Sequence, residues 1–195
     1  MALSRRLGFS ETESALLDTM LERGVNSPLA SSAGRLFDAV GALLGVGARN
    51  RFEGQIPLAL EAAASGFSGS APTLPLPLRP VARGGGACAE LDWEPLVASL
   101  EGGLARGTGA AELAASFHQA LADAIAATAR TAGVGTVALA GGCFQNARLL
   151  WLTQAALEAA GFEVLLPREL PPNDGAIAAG QALGALWGLT TVRMP

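Results

Sequence analysis

Apolar residues recur every three or four positions along most of the chain, which is the spacing of one face of an α-helix. The longest such repeat predicts a helix over residues 110–131. Ser10 and Glu13 form the capping-box pattern that begins an earlier helix. Similar stripes predict helices over residues 11–23, 32–44, 58–64, 94–100, 147–161 and 176–186. The chain is therefore expected to be rich in helix.

Two short apolar runs have the length of buried β-strands. They are Val137–Ala140 and Phe162–Leu166, and a helical pattern lies between them. A further β-pairing is expected between Leu78–Ala82 and Ala89–Trp93, across a run of glycines. The predicted fold class is therefore α/β, helix-rich, with a small sheet.

The length of 195 residues suits one domain with its own core, or one lobe of a larger enzyme. Residues 66–86 are rich in proline and glycine and predict an extended surface segment. No stretch approaches the roughly 20 apolar residues that span a bilayer, and the N-terminus lacks a signal-peptide pattern. Cys88 and Cys143 do not make a disulfide framework, so a reducing cytoplasm is expected.

The charged residues exclude several kinds of function. A net charge of −4 and a pI near 5.0 argue against broad nucleic-acid binding, which needs a basic face. All 13 basic residues are arginine, so there is no lysine for a Schiff base or a Walker-type phosphate loop. With one histidine and no tyrosine, the chain alone forms neither a histidine-based metal site nor a Ser-His-Asp triad with a second base.

The stretch 136–146 carries the most specific chemical pattern. Gly141 and Gly142 come directly after a predicted strand and before a predicted helix, an arrangement that lets backbone N–H groups approach a phosphate. The alternative is that the glycines only make the turn. Asn146 stands at the start of the helix, where its side chain either caps the helix or reaches a ligand.

Three carboxylates are candidates for binding or for structure. Asp38 shares a helix face with Gly34, which leaves space beside the carboxylate, although a solvated Asp is the simpler interpretation. Glu53 precedes a predicted helix, and the alternative to a binding role is a structural interaction with the N-terminus of that helix. Asp174 occupies a position typical of a helix N-cap, and its functional alternative is a metal ligand.

Two further side chains favour structural interpretations. His118 lies beside an apolar helix stripe, where a packed and hydrogen-bonded histidine is expected rather than a ligand. Cys143 follows the glycine pair near a helix N-terminus. Such a position lowers the pKa of some thiols, but a small residue filling the loop is the favoured interpretation.

Several motifs occur together in the order and approximate spacing of one family. They are Ser31-Ser-Ala-Gly-Arg-Leu-Phe-Asp-Ala-Val40, Phe52-Glu-Gly-Gln55, Phe117-His118, Ala140-Gly-Gly-Cys-Phe-Gln-Asn146 and Pro171-Pro-Asn-Asp-Gly175. In these motifs the chain resembles the C-terminal part of HypF-type carbamoyltransferases, which are maturation factors for nickel–iron hydrogenases. The resemblance runs from about residue 10 to residue 189.

The resemblance implies one lobe of an actin-like (ASKHA) two-lobed ATPase fold, shared with the tRNA threonylcarbamoyladenosine transferases. Residues 1–195 would form a single partial domain, the second lobe of a Kae1-like domain. Asp38, with Glu53 and Gly54, would hold the ribose and the neighbouring part of the nucleotide.

In the second half of the chain, the resemblance assigns Gly141 and Gly142 to backbone contacts with the nucleotide and Asn146 to a hydrogen bond on its adenosine side. Asp174 would complete a site for a divalent metal ion. The family's pair of histidines four residues apart, which supplies other metal ligands, has no counterpart here, because His118 is the only histidine. The family's acylphosphatase-like, zinc-finger and adenylate-forming regions also have no counterpart.

The activity implied is transfer of a carbamoyl group from carbamoyl-adenylate, made from carbamoyl phosphate and ATP, to the C-terminal cysteine of a HypE-type partner. The isolated chain is expected to be inactive. One alternative is a lobe of the tRNA-modifying relatives, although the motifs at Ser31–Asp38, Phe52–Gln55 and Phe117–His118 favour HypF. The other is a degenerate nucleotide-binding or interaction module without catalysis.

Overall fold

The computed structural model describes residues 7–83 and 86–188. Gly84 and Gly85 of the predicted glycine run, the side chain of Cys88 and both ends of the predicted domain lie outside the described part. The backbone divides into two compact units, Met1–Ala124 and Ile125–Pro195.

Unit 1 (Met1–Ala124) is formed mainly by helices. Its helices are α1 (Glu11–Glu22), α2 (Ala33–Leu43), α3 (Gln55–Ser65), α4 (Glu94–Ala105) and most of α5 (Ala110–Thr131). The capping box predicted for α1 is confirmed, because Ser10 accepts from the Glu13 amide and the Glu13 side chain accepts from the Ser10 amide. Ser32 caps α2, and the bounds predicted for α5 are confirmed.

The core of unit 1 lies where α2, α3, α4 and α5 present their apolar faces. Phe37 and Phe117 are buried and meet edge to face, with ring centroids 4.9 Å apart. Helices α2 and α3 approach so closely at Gly41 that a Cβ atom there would overlap Ile56 Cγ2. That glycine is therefore required by packing.

Two predicted helix bounds in unit 1 are wrong. Helix α4 continues through Gly102 and Gly103 to Ala105, where a loop was expected. Gly103 is buried, and a Cβ atom there would lie 2.6 Å from Leu113 Cδ2, so the glycine serves helix contact and does not end the helix. Helix α3 begins at Gln55, three residues before its predicted start.

A β-hairpin separates α3 from α4. Strand β1 (Leu78–Arg83) pairs antiparallel with β2 (Gly86–Leu91), and Leu78 lies opposite Leu91. The predicted pairing is confirmed, with a small shift of its bounds. An ion pair between Arg79 and Asp92 closes the open end of the hairpin, and residues 67–77 before it form neither helix nor strand.

Unit 2 (Ile125–Pro195) contains a strand–helix–strand arrangement. Strand β3 (Thr136–Ala138) is followed by helix α6 (Ala147–Ala159) and by strand β4 (Glu163–Leu165), which pairs parallel to β3. Each strand is shorter than its predicted run. Strand β4 lies within the run, and β3 begins one residue before it. Helix α7 (Ile177–Leu186) follows, one residue later than predicted.

The core of unit 2 is small. Ala126, Leu139 and Leu157 are its buried apolar residues, with partly buried apolar side chains around them. Helix α7 is apolar in sequence yet contains no buried residue, and Leu186 is 82% exposed. A helix that is apolar all round is normally enclosed by protein, so much of this unit's apolar surface is not covered by the residues described.

Candidate functional site

The candidate residues of unit 1 centre on Asp38, which lies in the middle of α2. Its side chain is 17% exposed, and its Oδ1 atom accepts a hydrogen bond of 3.1 Å from Asn50 Nδ2. Arg35 Nη1 lies 3.0 Å from the other oxygen, Oδ2, as an ion pair without the direction of a hydrogen bond. The carboxylate is therefore mostly enclosed and fixed on one side, rather than solvated as the simpler interpretation held.

Arg35 is a weak partner for this carboxylate. The arginine side chain is 67% exposed, and such a pair is screened by solvent and contributes little to stability. Gly34, one turn before Asp38, has open space around it, because a Cβ atom added there would meet only Ser32 Oγ, at an ordinary distance of 3.6 Å. Open space is thus present at Gly34, whereas Arg35 lies against the carboxylate itself.

The loop before α3 carries the other candidates of this unit. Gly54 is the N-cap residue of α3 and has a φ of 81°, a left-handed conformation that favours glycine. Glu53 is exposed beside it. Gln55 Oε1 accepts a 2.6 Å hydrogen bond from the Arg51 amide and so holds the loop in a tight turn.

The sequence pattern does not single out Asn50, which the structure places beside Asp38. Its amide group contacts Asp38 at one end and the Ile56 amide at the other, with Asn50 Oδ1 accepting at 3.0 Å. The only sequence signal was a polar residue shortly before a helix whose N-cap is glycine. Asn50 therefore links the predicted residue Asp38 to Ile56 in the first turn of α3.

In unit 2 the glycine turn is exposed and uncrowded. Gly141 has a φ of 106°, and a Cβ atom at either Gly141 or Gly142 would meet nothing within 4 Å. The Gly141 N–H donates a 2.6 Å hydrogen bond to the carbonyl of Pro172. This bond holds the loop that leads to Asp174 against the glycine turn, and it engages the amide that was expected to approach the nucleotide.

Asn146 is the N-cap of α6. Its Oδ1 atom accepts a 2.8 Å hydrogen bond from the Leu149 amide, and the residue is only 8% exposed. Of the two predicted roles, helix capping and ligand contact, the structure shows capping. The contact with adenosine stays a prediction.

Cys143 is half-buried in the 3₁₀ turn Gly142–Gln145 that links β3 to α6. Burial raises the pKa of the Cys143 thiol above its ordinary value. The raised pKa gives no support for an activated thiol, and the loop-filling role of Cys143 stays a prediction.

The capping role considered for Asp174 is wrong. Asn173 is the N-cap of the short 3₁₀ turn Asp174–Ala176, and its Oδ1 atom accepts a 3.1 Å hydrogen bond from the Gly175 amide. Asp174 is the first residue of the turn and is exposed. Its carboxylate is accordingly not committed to that cap.

His118 lies in the core of unit 1, as expected for a structural histidine. It is fully buried, and its ring makes edge contacts with Phe37 and Phe117 at centroid distances of 5.5 and 5.6 Å. Nδ1 lies 2.7 Å from the Ala114 carbonyl. Because a carbonyl only accepts, Nδ1 carries a proton.

Within residues 7–83 and 86–188, no three His, Cys, Asp or Glu side chains are grouped so as to hold a metal ion. Asp174 therefore does not form a metal centre with its neighbours in the described part of the chain. None of the helices in that part is long and apolar enough to cross a membrane.

Comparison with known proteins gives consistent matches. Residues 2–181 match the family "Carbamoyltransferase, Kae1-like Domain, second subdomain". The carbamoyltransferase HypF of Synechocystis is 40% identical over 171 residues, which are 87% of this chain and 21% of that protein. A HypF homologue of Cupriavidus necator is 40% identical over 187 residues, covering 92% of this chain and 47% of the relative.

Solved structures agree with these relatives. The crystal structure of full-length HypF in its phosphate- and nucleotide-bound form matches with a TM-score of 0.85 at 28% identity, over 100% of this chain and 26% of that one. The HypF of T. kodakarensis matches with a TM-score of 0.75 at 30% identity, over 96% and 24%. The predicted helix-rich α/β lobe of a Kae1-like, actin-like fold is confirmed.

The chain spans between about a fifth and a half of the length of these relatives. The relatives are carbamoyltransferases by name, and the family model covers nearly all of the present sequence. The chain therefore belongs to the HypF-type carbamoyltransferases and corresponds to the second subdomain of their Kae1-like domain.

Proposed function

We propose that this chain is the nucleotide-binding part of a cytoplasmic carbamoyltransferase that acts in nickel–iron hydrogenase maturation. The intact enzyme would make carbamoyl-adenylate from carbamoyl phosphate and ATP. It would then pass the carbamoyl group to the C-terminal cysteine of a HypE-type partner protein. The observation that carries the proposal is the mostly enclosed, oriented carboxylate of Asp38 in a chain that is similar to a nucleotide-bound HypF.

Asp38 is suited to hold the ribose. A carboxylate accepts hydrogen bonds from two neighbouring hydroxyl groups, and such charge-assisted bonds are stronger than neutral ones. Asn50 fixes one carboxylate oxygen, while the exposed Arg35 beside the other is displaced at small cost. Gly54, with no Cβ, and Glu53 beside it would form the neighbouring part of the nucleotide site.

In unit 2, the Gly142 backbone would approach the nucleotide, because the Gly141 N–H already donates to Pro172. The open space around both glycines supports a close backbone approach. Asn146 would add its contact with the adenosine while its carbonyl oxygen continues to cap α6.

The proposed transfer is a substitution at the carbamoyl carbon. The sulfur of the partner's cysteine thiolate forms a bond to that carbon, and the bond from the carbon to the phosphate oxygen of the adenylate breaks. AMP leaves with the electron pair. The residues of this chain would hold the adenylate in position, which is a large source of rate acceleration for a reaction between two bound groups.

Asp174 is the one residue of this chain that we propose as a ligand of a divalent metal ion. Because the described residues do not form a metal site by themselves, the exposed Asp174 carboxylate would supply one ligand and the remaining ligands would come from outside them. No step above depends on the metal. Because the chain spans only part of the length of its relatives, the isolated chain is expected to bind nucleotide without catalysing transfer.

ATP binding to the 195-residue chain, measured by isothermal titration calorimetry, tests the proposal. Asp38→Asn keeps the size of the side chain and removes its charge, so the affinity for ATP should fall about 10- to 100-fold. Asp18→Asn makes the same charge change in the exposed helix α1 and should leave the affinity unchanged. Equal ATP affinity in the wild-type chain and Asp38→Asn would remove Asp38 from the nucleotide site.

A further inference from the structure

We propose that Asn50 is a positioning residue for the nucleotide site, which orients the Asp38 carboxylate from the loop before α3. The inference rests on the proposed function, since it concerns the carboxylate assigned to the ribose. Asn50 lies outside the motifs that pointed to the family, and its role follows from two hydrogen bonds of a single side chain.

Both ends of the Asn50 amide are in use. Nδ2 donates to Asp38 Oδ1 at 3.1 Å, and Oδ1 accepts from the Ile56 N–H at 3.0 Å. The reversed amide would place its oxygen against a carboxylate and its NH₂ group against an N–H donor. Only one orientation satisfies both partners, so the side chain acts as a directional bridge.

The bridge has a structural reason at its helix end. The N-cap of α3 is Gly54, which has no side chain to accept from the first amides of the helix. Asn50, four residues earlier, supplies that acceptor to Ile56. The same side chain therefore links the start of α3 to the middle of α2.

The bridge has a functional consequence at its carboxylate end. Asn50, which is itself exposed, donates to Oδ1, and only an exposed arginine lies beside Oδ2, so the Asp38 carboxylate has a preferred orientation before any ligand arrives. A preoriented carboxylate loses less rotational freedom on binding and contributes more to affinity. Without the amide donor, Asp38 would turn toward solvent or Arg35.

Two variants separate the two ends of the bridge. Asn50→Asp keeps an oxygen that accepts from Ile56 but loses the donor to Asp38 and places a like charge beside it. Asn50→Ala loses both contacts. Asp38→Asn gives the reference for a site without the carboxylate.

The experiment compares ATP with 2′,3′-dideoxy-ATP, which lacks the ribose hydroxyl groups, by calorimetry on the full 195-residue chain. The pH is about 8, well above the ordinary pKa of an aspartate. The wild-type chain should prefer ATP by about tenfold or more. Asn50→Asp should reduce this preference to nearly that of Asp38→Asn, and it should also lower the Tm because two carboxylates then lie against each other. Asn50→Ala should lose the preference and also melt several degrees lower.

Each contrary result has a distinct meaning. If the wild-type chain prefers ATP and either Asn50→Asp or Asn50→Ala keeps that preference, the role of Asn50 is overturned and the role of Asp38 stands. A wild-type chain that binds both nucleotides equally overturns the ribose contact and the role of Asn50 with it. A wild-type chain that binds neither nucleotide overturns the proposed function itself.

Discussion

At the scale of single residues, Cys143 shows how burial changes the chemistry of a side chain. The thiol lies in the turn before α6, where the positive end of a helix dipole would favour a thiolate. Loss of water contact raises the pKa of the Cys143 thiol above its ordinary value. At neutral pH the residue therefore stays protonated and is a poor nucleophile.

The pH dependence of alkylation tests this point. Because only the thiolate reacts, the rate of Cys143 modification by iodoacetamide should rise at a higher pH in the folded chain than in the chain unfolded by guanidinium chloride. Mass spectrometry of the Cys143 peptide distinguishes it from Cys88. Rapid modification at neutral pH, with a midpoint below that of the unfolded chain, would instead indicate an activated thiol.

The sequence predicts those residues whose partners are close in the chain. Ser10, Ser32 and Asn146 form caps with amides three residues later, so their roles follow from local pattern. The predicted cap at Asp174 is one residue too late, because the N-cap is Asn173. Asparagine and aspartate are equally good capping residues, and the backbone of the turn selects between them. Asn50 was missed because its contact with Asp38 spans 12 residues.

At the scale of elements, the contact between α2 and α3 positions Asp38 relative to the loop that holds it. The helices meet at Gly41, where a Cβ atom would overlap Ile56 Cγ2. Gly41→Ala should therefore lower the free energy of unfolding by about 1–3 kcal/mol, a typical cost of overpacking a core. Unfolding in urea, followed by circular dichroism, measures the change.

Gly34→Ala is the matched control in the same helix. Its Cβ atom would make only an ordinary contact with Ser32 Oγ, and alanine is the better helix former, so its stability should be equal or slightly higher. Equal losses of stability in the two variants would mean that backbone conformation, and not the contact with Ile56, is what Gly41 provides.

Most elements were predictable because each shows a periodic apolar face over several turns, as α5 does. The end of α4 was not predictable in this way. Two adjacent glycines normally indicate a loop, but buried Gly103 allows close contact with Leu113, which comes ten residues later. Whether a glycine breaks a helix or packs it against a neighbour depends on tertiary contacts that the local pattern does not contain.

At the scale of the whole molecule, unit 2 buries less apolar surface than its composition provides. Large apolar side chains of α6 and α7, among them Trp151 and Leu186, remain exposed, and β3 and β4 form a two-stranded parallel sheet. Parallel sheets are usually covered on both faces. This is the pattern of one subdomain of a larger domain, in agreement with the family match.

The activity of that larger domain provides the most direct test of the proposed function. The chain would replace its matching segment in the HypF of Synechocystis, to which it is 40% identical. The measurement is ATP-dependent transfer of labelled carbon from carbamoyl phosphate to a HypE-type partner. The chimaera should transfer label, and Asp38→Asn in the chimaera should reduce the rate about tenfold or more. A chimaera that melts cooperatively and binds ATP but transfers no label, beside an active parent enzyme, would contradict the assignment of this chain to carbamoyl transfer.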